Sequence, residues 1–289
     1  MIDKDYIKSG EIARKAREYG RTLVKENAKY LDIAEKIEAK IVELGGKPAF
    51  PVDVSVNHVA AHDCPLYNDE RVIKKGDLVK LDLGVHVNGK VTDTAVTVEI
   101  GDKYKKLIES SESALQNAIK IIKPGVKIRE IGKVIQDTIT SYGFSPVKNL
   151  SGHSVGDYEV HAGLTIPNYD NGNENVLEKD MIIAIEPFST NGEGKIQDGK
   201  LSEVYGLINL KNIRDSFSRE VLKFINEEYK TLPFCARWLI KKFGLRARLA
   251  LKNLESNGII KQYYQLPEVS KGYVSQAEVT LVVGGEVLS

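Results

Sequence analysis

The chain has 289 residues, 42% of them hydrophobic and 28% charged, and a net charge of +1. That is enough chain for one large domain or two ordinary ones with a substantial core. The near-neutral balance excludes a global field that would recruit nucleic acid or an anionic membrane. No window is apolar for the length a bilayer span requires, and the opening residues, MIDKDYIKSGEIARKAREYG, are charged and helix-like, without the apolar run of a secretory leader. The two cysteines, Cys64 and Cys235, lie far apart in sequence and form no metal-type pair. They are expected as free thiols of a cytoplasmic protein.

Helical periodicity runs over 3–27 and 29–44, where Ile33, Ile37, Ile41 and Leu44 form one apolar stripe that Gly45-Gly46 closes. Extended segments near 49–58 follow, and then LVKLDLGVHVNGKVTDTAVTV (78–98) reads as two strands joined at Asn88-Gly89. A helix over 103–122 is followed by a second, in KPGVKIREIGKVIQDTITSYG, stopped at Gly143. DMIIAIEPF (180–188) is strand-like. The order helix, helix, strands thus occurs twice, and residues 31–50 align with 128–147 at a constant offset of 97 up to their glycines. AAHD (60–63) and EVHAG (159–163) then fall at nearly the same distance, which suggests an internal duplication. Residues 211–262 break the pattern, with 12 Lys+Arg against 5 Asp+Glu. Helical stretches near 218–230, 233–243 and 245–256 precede the strand-like GIIKQYYQ, so a winged-helix-like unit is expected here, before the last strands in SQAEVTLVV.

The 78–98 hairpin carries one aspartate on each strand, although aspartate is a poor strand former. With Asn88-Gly89 as a two-residue turn, Val87 faces Lys90 and Gly84 faces Asp93, so Asp82 and Asp93 share a face as diagonal neighbours, roughly 7–8 Å apart at Cα. The opposite face of the first strand, Val79, Leu81, Leu83, Val85 and Val87, is wholly apolar. Two carboxylates so placed repel unless a cation lies between them. Other segments add candidates: His153 and His161 in NLSGHSVGDYEVHAG, Glu186 at the end of an apolar strand before a proline, and Glu278 inside SQAEVTLVV. Two Asp, two Glu and a His on separate strands can hold two divalent ions in an oxygen-rich site suited to activating water for hydrolysis. The set lacks the thiolates of a structural zinc site.

AFPVDVSVNHVAAHDCP, DLVKLDLGVHVNGKVTDTAVTV, NLSGHSVGDYEVHAGLTIP, MIIAIEPF and QAEVT resemble, in order, the signature segments of methionine aminopeptidases. The segment with LPFCARWLIKKFG and LALKNLESNGII resembles the insert that marks type II enzymes, and the short N-terminus resembles archaeal members. The resemblance implies an α/β (α+β) pita-bread fold: two pseudo-symmetric halves around a dinuclear metal site, with residues 1–205 and 266–289 as the catalytic domain and 206–265 as the inserted subdomain. It implies two divalent ions (Co²⁺, Mn²⁺, Fe²⁺ or Zn²⁺), with Asp82 chelating one, Asp93 and Glu278 bridging both, and His153 and Glu186 completing the other. His62 would bind the substrate carbonyl or stabilise the tetrahedral intermediate, His161 would be the second active-site histidine, Glu186 the proton shuttle, and Phe50 and Tyr263 walls of the methionine pocket.

The implied reaction removes the initiator methionine from nascent chains whose second residue is small. The chain's own Met1-Ile2 start, with a large second residue, would then keep its methionine. The family's last motif usually carries an aromatic and a histidine around its glutamate, where this chain has Ala277 and Val279, and a pocket histidine is missing from LSEVYGL. These departures are expected to alter pocket shape or turnover. A monomeric cytoplasmic enzyme, transiently near the ribosome, is expected, with no membrane or specific nucleic-acid partner. Two rivals are a proline-specific peptidase of the same fold and an inactive relative that binds nucleic acid or the ribosome through Arg246, Arg248 and Lys252.

Overall fold

The computed structural model describes residues 2–289. In the first half, α1 (Lys4–Leu23) starts at Asp3, whose carboxylate accepts the Asp5 N–H at 2.9 Å. Helix α2 (Tyr30–Glu43) follows, and the four-residue spacing of Ile33, Ile37 and Ile41 puts all three against the sheet with 1% exposure or less. Burial on that scale contributes about 1.5–3 kcal/mol per side chain. The chain then forms β1 (Lys47–Pro48), β2 (Asp53–Val56), β3 (Val59–Ala61), β4 (Leu78–Val87) and β5 (Lys90–Glu99). Asn88 and Gly89 both have positive φ, 50° and 93°. That is the turn whose twist suits a two-residue hairpin, and Val87 pairs with Lys90 and Gly84 with Asp93 in the predicted register. The apolar face of β4 packs with α1 and α2 in one core, and Leu44 reaches only its margin.

The second half repeats the plan: α3 (Lys105–Ile121), α4 (Ile128–Ser141), β6 (Ser145–Pro146), β7 (Ser151–Ser154), β8 (Thr165–Pro167), β9 (Ile182–Ile185) and β10 (Phe188–Thr190). After an excursion through β11 (Leu201–Leu207), α5 (Ser216–Glu228), β12 (Phe234–Cys235), α6 (Ala236–Phe243), α7 (Ala247–Ser256) and β13 (Ile260–Tyr264), the chain returns as β14 (Leu266–Pro267), β15 (Val274–Gln276) and β16 (Glu278–Val282). The main sheet runs β1-β4-β5-β16-β9-β7-β8, with β2 added on β4. Helices α3 and α4 bury their apolar stripes on its second half, beside Ile183, Ile185, Val279 and Leu281. One core therefore lies under each half, and the junction between halves is the pairing of β5 with β16.

The repeat is present, but its offset is 98 rather than 97. Tyr30 and Ile128 open equivalent helices, Glu43 and Ser141 end them, β1 corresponds to β6 and β2 to β7. The helix terminators are Gly45 (φ 89°) and Gly143 (φ 83°). Two adjacent glycines follow the first helix, and the sequence does not say which adopts the left-handed conformation that stops it.

The excursion has its own small core under α5, α6 and α7, and β11 joins β12 and β13 in a three-stranded sheet that begins at Leu201. It is anchored by Arg237, which is fully buried and donates two hydrogen bonds to Glu38 of α2 at 2.8 and 2.7 Å, while the Trp238 indole N–H reaches the same carboxylate at 2.9 Å. The cysteines are free thiols, as expected, although they are close in space. Cys64 and Cys235 are both buried and free, and they share one small cluster beneath Val204.

Candidate active site

Side chains alternate across a strand, so the residues that cannot enter the two cores are forced to the other side of the sheet. On β4 and β5 these include Lys80, Asp82, Gly84 and Asp93; on β16 they are Glu278 and Thr280. Glu186 follows β9 and His153 lies on β7. Asp82, Asp93, His153, Glu186 and Glu278 all line one cavity of about 350 Å³, together with His62, His161, Phe50 and Tyr263. Ligand atoms of Asp93, His153 and Glu278 lie within 4.8 Å of one another. The His153 Nε2 is 3.7 Å from Asp93 Oδ2 and 3.6 Å from Glu186 Oε1.

The electrostatics of the cluster suit a bound cation. Loss of solvent lifts the Asp82 carboxyl to about 6. Burial, with the charges of their acidic neighbours, lifts Asp93, Glu186 and Glu278 well above the ordinary carboxylate range. Asp82 Oδ1, Asp93 Oδ1 and Glu278 Oε1 are buried without a hydrogen-bond partner. The Nδ1 of His153 lies 3.2 Å from the Ser154 carbonyl, which can only accept, so Nδ1 carries the proton and Nε2 turns a bare lone pair toward the carboxylates. Burial holds that imidazole neutral, its pKa pushed down to about 3. A lone pair facing carboxylate oxygens has no proton to share, and an imidazole pinned by a carbonyl behind it is a metal ligand's arrangement. The residues therefore fit divalent ions.

Binding a cation must displace the protons that burial places on these carboxylates. Metal affinity is therefore expected to rise as pH passes through the Asp82 value of about 6. Calorimetry in buffers of different ionisation enthalpy should read more protons released at pH 6 than at pH 8. Because His153 is already neutral in that range, its replacement should leave the proton count unchanged.

The same hydrogen-bond logic revises His62. It sits at φ 64°, its N–H donates to Asp53 Oδ2 at 2.9 Å, and its Nδ1 meets the Tyr264 carbonyl at 3.2 Å. Desolvation holds it below the ordinary histidine range. The neutral ring thus offers the cavity an acceptor, Nε2, and not the donor that stabilising an oxyanion demands. His161 stacks edge-on against His153 at 4.4 Å between centroids, and Tyr263 meets His62 edge-on at 5.9 Å.

Phe50 lies over Gly84, where an added Cβ would fall 2.6 Å from Phe50 Cδ1 and 3.0 Å from the Ala49 Cβ. Gly84→Ala should therefore displace the ring from the pocket wall, raising KM about 10-fold and costing about 1–3 kcal/mol of stability; steady-state kinetics and thermal melts check both.

Two residues at the site were missed. Asp53 lines the cavity, and Gln276 donates to Asp82 Oδ2 at 2.9 Å and to Glu278 Oε2 at 3.4 Å. The signal for Asp53 was present in FPVDVSV, where an acidic residue interrupts an alternating strand as in the hairpin, although aspartate is a poor strand former. Gln276 carried no signal, because its role depends on a neighbouring strand. Ala277 and Val279 face the second core and do not line the cavity, so the expected change of pocket shape does not arise by their direct contact.

A two-half α/β fold with a buried acidic cluster and a histidine at its centre defines a class of metal-dependent peptidases, and residues 4–214 match the model of metallopeptidase family M24. A methionine aminopeptidase of Archaeoglobus fulgidus is 43% identical over 290 residues, covering 100% of this chain and 98% of the relative. The crystal structure of a methionine aminopeptidase from Thermotoga maritima superposes with a TM-score of 0.72 at 24% identity, covering 100% and 97% of the two chains, and speaks for the fold. Prolidase from Pyrococcus furiosus matches less completely: TM-score 0.56, 29% identity, 64% of this chain and 55% of that one. The chain belongs to the M24 metallopeptidases and, within them, to the methionine aminopeptidase family.

Proposed function

We propose that this protein is a type II methionine aminopeptidase that uses two divalent ions, held by Asp82, Asp93, His153, Glu186 and Glu278, to remove N-terminal methionine when the next residue is small. The observation that carries this reading is the convergence of these five side chains, distant in sequence, on one cavity with unpartnered buried oxygens. When bound, the ions supply Lewis acidity and a water activated for attack near neutral pH. The chain's own residues do the rest. Phe50 and Tyr263 wall an apolar space for an unbranched thioether. Glu186, at the cluster's edge, carries a proton toward the leaving amine. The neutral His62 accepts a hydrogen bond from a substrate N–H and orients the scissile amide. His161 stands at the cavity mouth beside His153.

The inserted unit, 206–265, shapes this pocket through Tyr263, and Val204 on the strand leading into it lines the same cavity. Its basic residues are partly engaged: Arg248 pairs with Glu203 at 3.2 Å, and Arg246 stacks on Phe217. That supports a pocket-shaping role over nucleic-acid binding. No helix among the described residues is long and apolar enough to cross a membrane. The proposed setting is the cytoplasm, with the protein acting as a monomer on chains emerging near the ribosome. The test is methionine release from a Met-Ala-Ser peptide by chelator-treated protein with and without added Mn²⁺, Fe²⁺, Co²⁺ or Zn²⁺. Metal-dependent release is expected, and its absence with every ion would overturn the reading.

A further inference from the structure

The two halves of the sheet meet along one seam, β5 against β16, and that seam is paired directly for only two residues, Ala95 with Glu278 and Thr94 with Val279. In an antiparallel ladder every second pair exchanges both of its N–H···O=C bonds. Outward from Ala95 and Glu278, the next such pairs in register are Asp93 with Thr280 and Thr97 with Gln276. The ladder continues to neither. Side-chain hydroxyls take the place of the backbone bonds. The Asp93 N–H donates to Thr280 Oγ1 at 2.7 Å, and that hydroxyl donates to the Asp93 carbonyl at 2.9 Å. The Thr280 N–H donates to Ser289 Oγ at 2.8 Å, and Ser289 Oγ donates to the same Asp93 carbonyl at 2.9 Å. At the other end, the Gln276 N–H donates to Thr97 Oγ1 at 2.9 Å, and Thr97 Oγ1 donates to the Gln276 carbonyl at 2.6 Å. Thr97, Thr280 and Ser289 are all buried.

A hydroxyl oxygen set between an N–H and a C=O spans two hydrogen bonds where the ladder spans one. The strands therefore stand apart at both ends of the seam and close only around Ala95 and Glu278. The acidic cluster follows this profile. Glu278 sits where the strands close, and Asp93 sits at one parted end. At the other parted end is Gln276, whose amide donates to Asp82 Oδ2 at 2.9 Å and to Glu278 Oε2 at 3.4 Å. The three hydroxyl residues do not themselves line the cavity. Ser289 is held in turn by its own backbone, since the Leu288 and Ser289 N–H groups donate to the Thr280 carbonyl at 2.8 and 3.3 Å.

We infer that the hydroxyls of Thr97, Thr280 and Ser289 are positioning groups: they hold the seam open and so fix the spacing of Asp82, Asp93 and Glu278 at which divalent ions bind. This rests on the reading of the cluster as a metal centre. Removing one hydroxyl leaves a buried N–H and C=O without partners, and the strands regain those bonds by closing directly on each other. That closure moves the acidic side chains carried on the seam.

Thr97→Val, which keeps the shape and removes the hydroxyl, and Ser289→Ala test the two ends of the seam, and Thr97→Ser retains the hydroxyl as a control. In calorimetric titrations of chelator-treated protein with Mn²⁺, each deletion should weaken binding about 10-fold, and Thr97→Ser should stay within about 2-fold of wild type. At saturating Mn²⁺ the deletions should lower kcat for Met-Ala-Ser about 10-fold with KM changed less than about 3-fold. Should one deletion fold poorly, the other carries the same test at its own end. Hydroxyls that serve the fold alone would lower the melting temperature of the metal-free protein and leave the Mn²⁺ affinity of the folded protein unchanged. That result, or a Thr97→Ser variant no better than Thr97→Val, overturns the inference while the wild type still binds Mn²⁺. A wild type that takes up no Mn²⁺, Fe²⁺, Co²⁺ or Zn²⁺ would instead sink the metal-centre reading and this inference with it, so the two failures are distinct.

Discussion

Asp93→Ala is expected to lower kcat/KM for metal-dependent methionine release by at least about 10³-fold, about 4 kcal/mol of barrier. Asp93 is the point where the two halves meet. Its backbone N–H donates to Thr280 Oγ1 at 2.7 Å, its carbonyl accepts from Thr280 and Ser289 hydroxyls at 2.9 Å, and its carboxylate faces His153. Those backbone bonds survive the substitution, so the fold should too. A second readout separates a metal-site role from a structural one. In metal-free protein, burial and the charges of Asp82 and Glu186 keep the Asp93 carboxyl far above its unfolded range. A buried acid of raised pKa contributes most below its unfolded pKa, and that contribution is lost as pH rises toward the folded value. At pH 7–8 the wild-type carboxylate is therefore a liability without metal. The alanine variant should melt higher than metal-free wild type, by ~2 °C or more for each kcal/mol relieved, and added metal should no longer shift its melting temperature appreciably. A variant that melts lower than metal-free wild type would argue that Asp93 stabilises the fold and holds no ion.

The second large effect is on stability. Arg237→Ala should cost about 3–5 kcal/mol, because it strands Glu38 as an unpaired carboxylate under α6. In a chain of this size that lowers the melting temperature by about 10 °C. The Glu38 carboxylate also receives the Val52 N–H at 3.4 Å, one residue from Asp53, so loosening it should raise KM as well. Replacing both partners, Arg237→Met with Glu38→Leu, should recover most of the lost stability, since no buried charge is then left alone. Calorimetric melts of Arg237→Met, Glu38→Leu and the double variant decide the matter. Equal losses in all three would mean that packing, and not the ion pair, docks the excursion.

The hairpin shows how much of the site was legible in advance. A two-residue Asn-Gly turn admits one pairing, strand alternation then puts Asp82 and Asp93 on a shared face, and five valines and leucines put the other face in a core. The helix stripes were legible for the same reason: a period of 3.6 is a local property of the backbone. Boundaries drifted by a few residues at most, as at α1, read to 27 and ending at Leu23. The repeat register slipped by one because Gly45 and Gly46 are locally equivalent, and only the packed chain selects the residue that turns left-handed.

By itself the sequence determined what depends on neighbours along the chain: helices, the hairpin, the two acidic strand positions and the segments whose resemblance pointed to the family. Tertiary structure decided what depends on neighbours across space. Strand order put Asp53 opposite Asp82 and Gln276 between two carboxylates, the carbonyls behind His62 and His153 chose their tautomers, and docking of the excursion brought Cys235 beside Cys64 and Tyr263 over the cavity. The physical reason is that charge, hydrogen bonding and desolvation act through distance in the folded molecule, and folding brings into contact residues that the chain keeps far apart.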